Sequence, residues 1–183
     1  MQLAPLLEAT PVIQVHMLSA LAAILVGPFA LYRRRRDRWH RRLGYGWTGA
    51  MLLAATSALF IPSAGLALLG PFGPIHALVL LVYAGLWQAI RAIRAGRVTE
   101  HRAAMSSLYW RGIGIAGLFT LMPGRIVNRM VLPEWPEAGW GLIGLGLCAL
   151  FLVPRLATAR QRRAQQALKV KQETGLFRGQ EIR

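Results

Sequence analysis

Apolar residues run through most of this chain in long unbroken stretches, and the polar positions collect between them. Five stretches stand out, at about 11–31, 43–61, 75–93, 103–122 and 138–154. Runs of this kind predict helices that cross a bilayer, whose hydrocarbon core is about 30 Å thick. Pro11 suits the first turn of the first helix, and Gly27-Pro28 predicts a kink near its far end. Residues 62–74, PSAGLALLGPFGP, hold three prolines and three glycines and predict a break between the second and third helices. MPGRIVNRMVLPEWPE predicts a loop between the fourth and fifth, with Trp135 and Trp140 as anchors at the membrane surface.

The pattern repeats. HMLSALAAILVGPFALY, a turn through RRRRDRW and a restart at HRRLG form one unit. HALVLLVYAGLWQAIRA, a turn through IRAGRVTE and a restart at HRAAM form the second. All four histidines occupy equivalent places, His16 and His76 opening the units and His40 and His101 reopening them after the turn. Each second histidine is followed by Arg. The expected fold is an all-α, polytopic membrane protein with five transmembrane helices. Two tandem hairpins make a four-helix core, repeat 1 about 11–61 and repeat 2 about 75–122. A peripheral fifth helix follows at about 138–154, and 155–183 is a basic tail.

Composition sharpens this picture. The chain is 55% hydrophobic with mean hydropathy +0.40, and no charged residue lies between Leu43 and Ile90. A soluble domain would have to bury that whole run, whereas a bilayer accepts it. The net charge of +15 raises the question of nucleic acid, but its distribution argues against it. Of 22 Lys and Arg, 19 fall in 32–42, 91–102 and 155–183, between or after the apolar stretches. Positive loops mark the cytoplasmic side and contact anionic phospholipids. The expected location is therefore a bacterial inner membrane, with the N-terminus outside and the C-terminus cytoplasmic. No positive segment precedes the first apolar stretch, so no secretory signal is predicted. The single Cys148 excludes an internal disulfide and a Cys-x-x-Cys site.

Glycines gather at Gly44, Gly46 and Gly49 in the second stretch, and at Gly139, Gly141, Gly144 and Gly146 in the fifth. Such clusters point to close approach of another helix or, for the first, a flat ligand.

Height in the membrane decides which histidines can act together. About 17 helical residues, roughly 25 Å, separate His16 from the basic turn, so His16 and His40 lie on opposite sides. The same holds for His76 and His101. The available pairs are His16 with His76 outside and His40 with His101 inside. Two helices that each give one imidazole at one level meet the needs of a bis-histidine haem b, and two such pairs hold one or two haems. Copper or zinc is less suited, because only two histidines are available at each level, although Met105 shares a helical face with His101. Arg111 lies within the fourth stretch, where charge is costly. It can pair with a haem propionate, a quinone oxygen or a lipid headgroup. Arg125 and Arg129, one turn apart if helical, can clamp propionates or lipid phosphate. The competing explanation for the histidines is duplication of an idle interface residue along with its gene. Phosphate-binding glycine loops, nucleophile elbows and metalloprotease histidine pairs are absent from the sequence.

The outer His16, the inner His40-Arg41-Arg42-Leu43-Gly44, the second outer His76 and His101-Arg102 followed by Met105 together resemble a bacterial family of predicted membrane proteins of unknown function. The resemblance covers roughly residues 10–130. The layout is also similar to that of two-haem b-type cytochromes of the transmembrane ascorbate-dependent reductase type, which implies two bis-histidine haems in a four-helix core and electron transfer. Two other classes stay open. One is a non-catalytic accessory or assembly subunit of a larger membrane complex, docking through its basic loops and glycine-rich helices. The weaker one is a small-molecule transporter built on parallel repeats.

Overall fold

The computed structural model describes residues 4–33, 35–62, 70, 73, 76–152, 155 and 166. Among these every regular element is helical. A short α1 (Ala4–Leu7) precedes α2 (Pro11–Tyr32), α3 (Arg38–Ala58), α4 (Ala77–Arg94) and α5 (Val98–Ser107). A π-helical turn (Leu108–Ile113) joins α5 to α6 (Gly114–Phe119), and α7 (Ile126–Val131) follows. The last apolar helix, α8, spans Ala138–Leu152. By length and composition α2 and α4 are each able to cross a membrane. The chain divides into two compact units, Met1–Ile143 and Gly144–Arg183. The basic tail expected at 155–183 lies, apart from 155 and 166, outside the described residues.

Within the first unit, antiparallel neighbours build a ring of four. In the first hairpin Trp47 of α3 reaches Ala23 of α2, and His16 near the start of α2 meets Ala54 near the end of α3. In the second, Leu108 lies against Gly85 and His101 against Ala89. Thr56 of α3 meets Tyr83 of α4 through their hydroxyls at 2.8 Å, and Tyr109 returns to α2. Two helical hairpins, α2 with α3 and α4 with α5, are therefore packed side by side. Their shared core is one buried cluster of Ala23, Trp47, Met51, Leu86 and Leu108, with Met105, Tyr109 and Ile113 packed around it.

Pro28 sits inside α2 rather than ending it. Proline has no N–H to give, so the carbonyl four residues back, on Ile24, loses its helical donor. Tyr109 fills that gap, its hydroxyl donating to the Ile24 carbonyl at 3.1 Å. At the neighbouring residue Trp47 donates its indole N–H to the Ala23 carbonyl at 3.0 Å. Both rings reach α2 because Gly27 has no side chain: a Cβ there would overlap the Tyr109 ring and come within 2.9 Å of the Trp47 indole nitrogen. Tyr109 belongs to the π-helical turn, and such turns alter which side chains a helix presents.

A consequence is measurable. Tyr109→Phe should lower stability by about 0.6 kcal/mol, the average for hydrogen bonds within a membrane bundle, and by no more than about 1.7 kcal/mol. With Pro28→Ala in place, the new N–H restores the helical bond to Ile24. Tyr109→Phe should then cost much less. A double-mutant cycle of melting temperatures in detergent measures this coupling; additive effects would refute it.

Three differences from the sequence pattern have clear causes. First, α3 begins at Arg38 inside the basic run, because Asp37 caps it by accepting the His40 backbone N–H at 2.9 Å. Asp37 also accepts from Arg33 Nε at 2.9 Å. The Arg33 bond first, and then the His40 N–H, hold its carboxyl well below the usual carboxylate range. Second, the close approach expected at Gly44, Gly46 and Gly49 does not occur within the described residues, where a Cβ at any of them would meet nothing within 4 Å. Third, in the last glycine cluster close packing is carried by Gly139, whose Cβ would overlap the Leu121 carbonyl and stand 2.7 Å from Asn128 Nδ2. Gly141 and Gly144 meet nothing within 4 Å.

Candidate functional site

Two of the four histidines sit where two helices meet. On α2, His16 places Nδ1 2.9 Å from the Ala54 carbonyl of α3 and 3.3 Å from the Ser57 hydroxyl. On α5, His101 places Nδ1 3.0 Å from the Ala89 carbonyl of α4, a residue with no exposed surface. A carbonyl only accepts, so both rings carry their proton on Nδ1 and keep the Nε2 lone pair for another use. An imidazole held in this way has a fixed tautomer and orientation, the usual preparation of a metal-ligating histidine.

The other two differ from their repeat partners. His76 precedes α4. Its Nδ1 accepts from the Gly73 N–H at 3.1 Å, which puts the proton on Nε2, 3.2 Å from the Ile61 carbonyl. To ligate a metal this ring must first release Ile61. His40 lies in the first turn of α3, and its Nδ1 is sealed from solvent without a hydrogen-bond partner among the described residues. A buried nitrogen left unmatched costs about 1–3 kcal/mol, so a bound group that occupies or orients this ring recovers stability.

Register places the pairs differently. His40 shares a face of α3 with Trp47, and His101 shares a face of α5 with Met105 and Leu108, by helical spacing. At the opposite end His16 is set against Ala54 while His76 is set against Ile61. Those acceptors are seven residues apart, a separation of about 10 Å if helical.

The arginines are not gathered around the histidines by any described contact. Arg111 is exposed in the π-helical turn. Arg125 is half-buried at the start of α7, and Arg129 is exposed one turn later. None of the three pairs with another side chain among the described residues. Nor is any cluster of three or more His, Cys, Asp or Glu assembled there; a site built from two imidazoles is not such a cluster.

Asn128 was not anticipated. It is wholly buried and donates through Nδ2 to the Leu121 carbonyl at 2.8 Å and the Pro136 carbonyl at 2.9 Å, closing the loop before α8. The signal was present as the single Asn of the chain, set between Arg125 and Arg129. Tyr109, which answers the proline at 28, was not anticipated either, because nothing local ties positions 81 residues apart.

No curated protein and no solved structure matches the chain. The pattern of one family of predicted membrane proteins, DUF2306, matches residues 13–158. That stretch covers both hairpins, all four histidines and α8, and the chain belongs to this family.

Proposed function

We propose that this protein transfers electrons in a membrane and holds haem b between histidines of its two hairpins. The observation that carries the reading is the preparation of His16 and His101. Each is protonated at Nδ1, hydrogen-bonded to a carbonyl of the neighbouring helix, and left with Nε2 as a ligand. That this occurs in an apolar bundle, at two of four repeat-related positions, favours haem over a surface metal site. When bound, the haem supplies a one-electron ferric–ferrous couple. The Ala54 and Ala89 carbonyls would fix the tautomer and orientation of His16 and His101 as ligands. Trp47, Met51, Leu86 and Leu108 keep water from the centre of the bundle.

The same reading assigns five spans in a bacterial inner membrane, with the N-terminus outside and the basic loops in the cytoplasm, facing anionic phospholipids. Exposed Arg111 is suited to a headgroup or a quinone oxygen, and Arg125 with Arg129 to propionates or lipid phosphate.

Optical spectra of the purified chain, expressed with haem supplied, test the proposal before and after chemical reduction. A reducible Soret band is expected. A colourless, folded chain would remove this reading and leave the accessory-subunit class.

A further inference from the structure

We infer that the exposed face of α3 seats one anionic phospholipid, its headgroup held by Arg38, Arg41 and Arg42 and an acyl chain lying along the open positions of Gly46 and Gly49; the inference rests on the membrane placement proposed above and not on haem.

Charge supplies the headgroup end. Arg38, Arg41 and Arg42 are exposed in the first turns of α3. Steps of three and four place them on one side of the helix. The nearby carboxylate, Asp37, does not neutralise them, since Arg33 and the His40 backbone N–H take it up. None of the three arginines forms an ion pair among the described residues. The Arg42 guanidinium lies over the exposed Trp39 ring, 5.5 Å from its centroid. Stacking uses one face of the planar group and leaves its edge N–H groups free for phosphate oxygens. An exposed Trp beside these cations also suits the headgroup layer.

The same side of α3 continues as an apolar seat. Tyr45 lies seven residues after Arg38, and Gly49 seven after Arg42, so two turns keep both on that side. Tyr45 is exposed, and a Cβ at Gly46 or Gly49 would meet nothing within 4 Å. One turn further on, exposed Leu52 and Leu53 end the stripe. The helix thus presents cations, an aromatic ring, a shallow opening and two branched side chains in that order. Arg42 to Leu53 is eleven residues, about 16 Å of helix. That matches one leaflet, half of a hydrocarbon core about 30 Å thick. A diacyl lipid with a negative headgroup has the same order of charge, then apolar chain, over the same depth.

The basic end of α4 lacks this combination. Arg91 and Arg94 are exposed there too, but the turn before Arg91 carries exposed Trp87 and Gln88. A bulky ring and an amide leave no opening for a chain. Positive charge is common to both helices, whereas the seat beside it belongs to α3.

Native mass spectrometry of the full chain tests this, after release from micelles loaded with equal amounts of phosphatidylglycerol and phosphatidylcholine. One bound phosphatidylglycerol per chain is expected. Arg38→Gln with Arg42→Gln should weaken its retention about twenty-fivefold, about fivefold for each charge. Arg91→Gln with Arg94→Gln removes equal charge and should leave retention unchanged. Gly49→Leu fills the opening and should lower retention without lowering the melting temperature. Equal losses from the two arginine pairs would reveal diffuse attraction and overturn the inference. Retention untouched by Gly49→Leu, or a lipid-free dimer, would also overturn it. A colourless chain that still retains phosphatidylglycerol at α3 would support the inference while removing the haem reading. A chain that binds neither lipid and stays soluble without detergent would overturn the inference together with the membrane placement.

Discussion

Gly27→Val should leave little monodisperse protein in detergent, although it changes one small residue in a helix rich in them. Even the first added carbon overlaps the Tyr109 ring and crowds the Trp47 indole. Neither ring can step aside cheaply. Tyr109 holds the carbonyl that Pro28 frees, and Trp47 holds the carbonyl beside it. Overpacking alone costs about 1–3 kcal/mol, and the displaced rings abandon two hydrogen bonds in an apolar surrounding. Two controls bracket the effect. Gly85→Ala meets only the branched tip of Leu108, 2.6 Å away at Cδ2, which can turn to another rotamer. Gly46→Ala meets nothing within 4 Å and should stabilise α3 by up to about 1 kcal/mol through helix propensity. The yield and melting temperature of the three variants should rank 46 above 85 above 27. Equal behaviour of positions 27 and 46 would contradict the packing described here.

Trp47→Ala should be the most costly single truncation in the bundle. Trp47 is 2% exposed, belongs to the four-helix cluster and bridges α3 to α2 through its indole N–H. Removing a buried Trp costs roughly 3–5 kcal/mol in proteins folded in water. Within lipid the transfer part of that cost shrinks, because the tails are as apolar as the core, while lost packing and the cavity remain. A loss near 3 kcal/mol is the expectation, read as unfolding in mixed micelles. Trp47→Phe should recover most of the packing and lose the bond to Ala23. A Trp47→Ala loss under about 1 kcal/mol would show that the cluster does not hold the hairpins together.

These two positions also mark what the sequence could and could not tell. Hydropathy located the helices, because apolar length is a property of each segment alone. The repeat located the histidines and sorted them by end of the bundle, because a basic turn reverses the chain whatever packs against it. Start points were harder. Asp37 caps α3 from within a run of arginines, where its carboxylate is masked in any average over charge. Glycine counts misled for a related reason. The cluster at 44, 46 and 49 faces outward, while lone Gly27 admits two aromatic rings. Which face a glycine occupies depends on partners distant in sequence. Register between hairpins was likewise beyond reach. Which end of the bundle a histidine occupies follows from counting loops, but that His16 is set against Ala54 while His76 is set against Ile61 appears only in the packed hairpins.

The central claim is that two imidazoles of this chain meet at one iron. Electron paramagnetic resonance of the oxidised, haem-loaded protein at low temperature tests it most directly, since spin state reports axial ligation. The account predicts a low-spin ferric signal from a six-coordinate iron, abolished or converted to high spin in His101→Ala. A high-spin signal from the unmodified chain, or a low-spin signal untouched by both His40→Ala and His101→Ala, would contradict it.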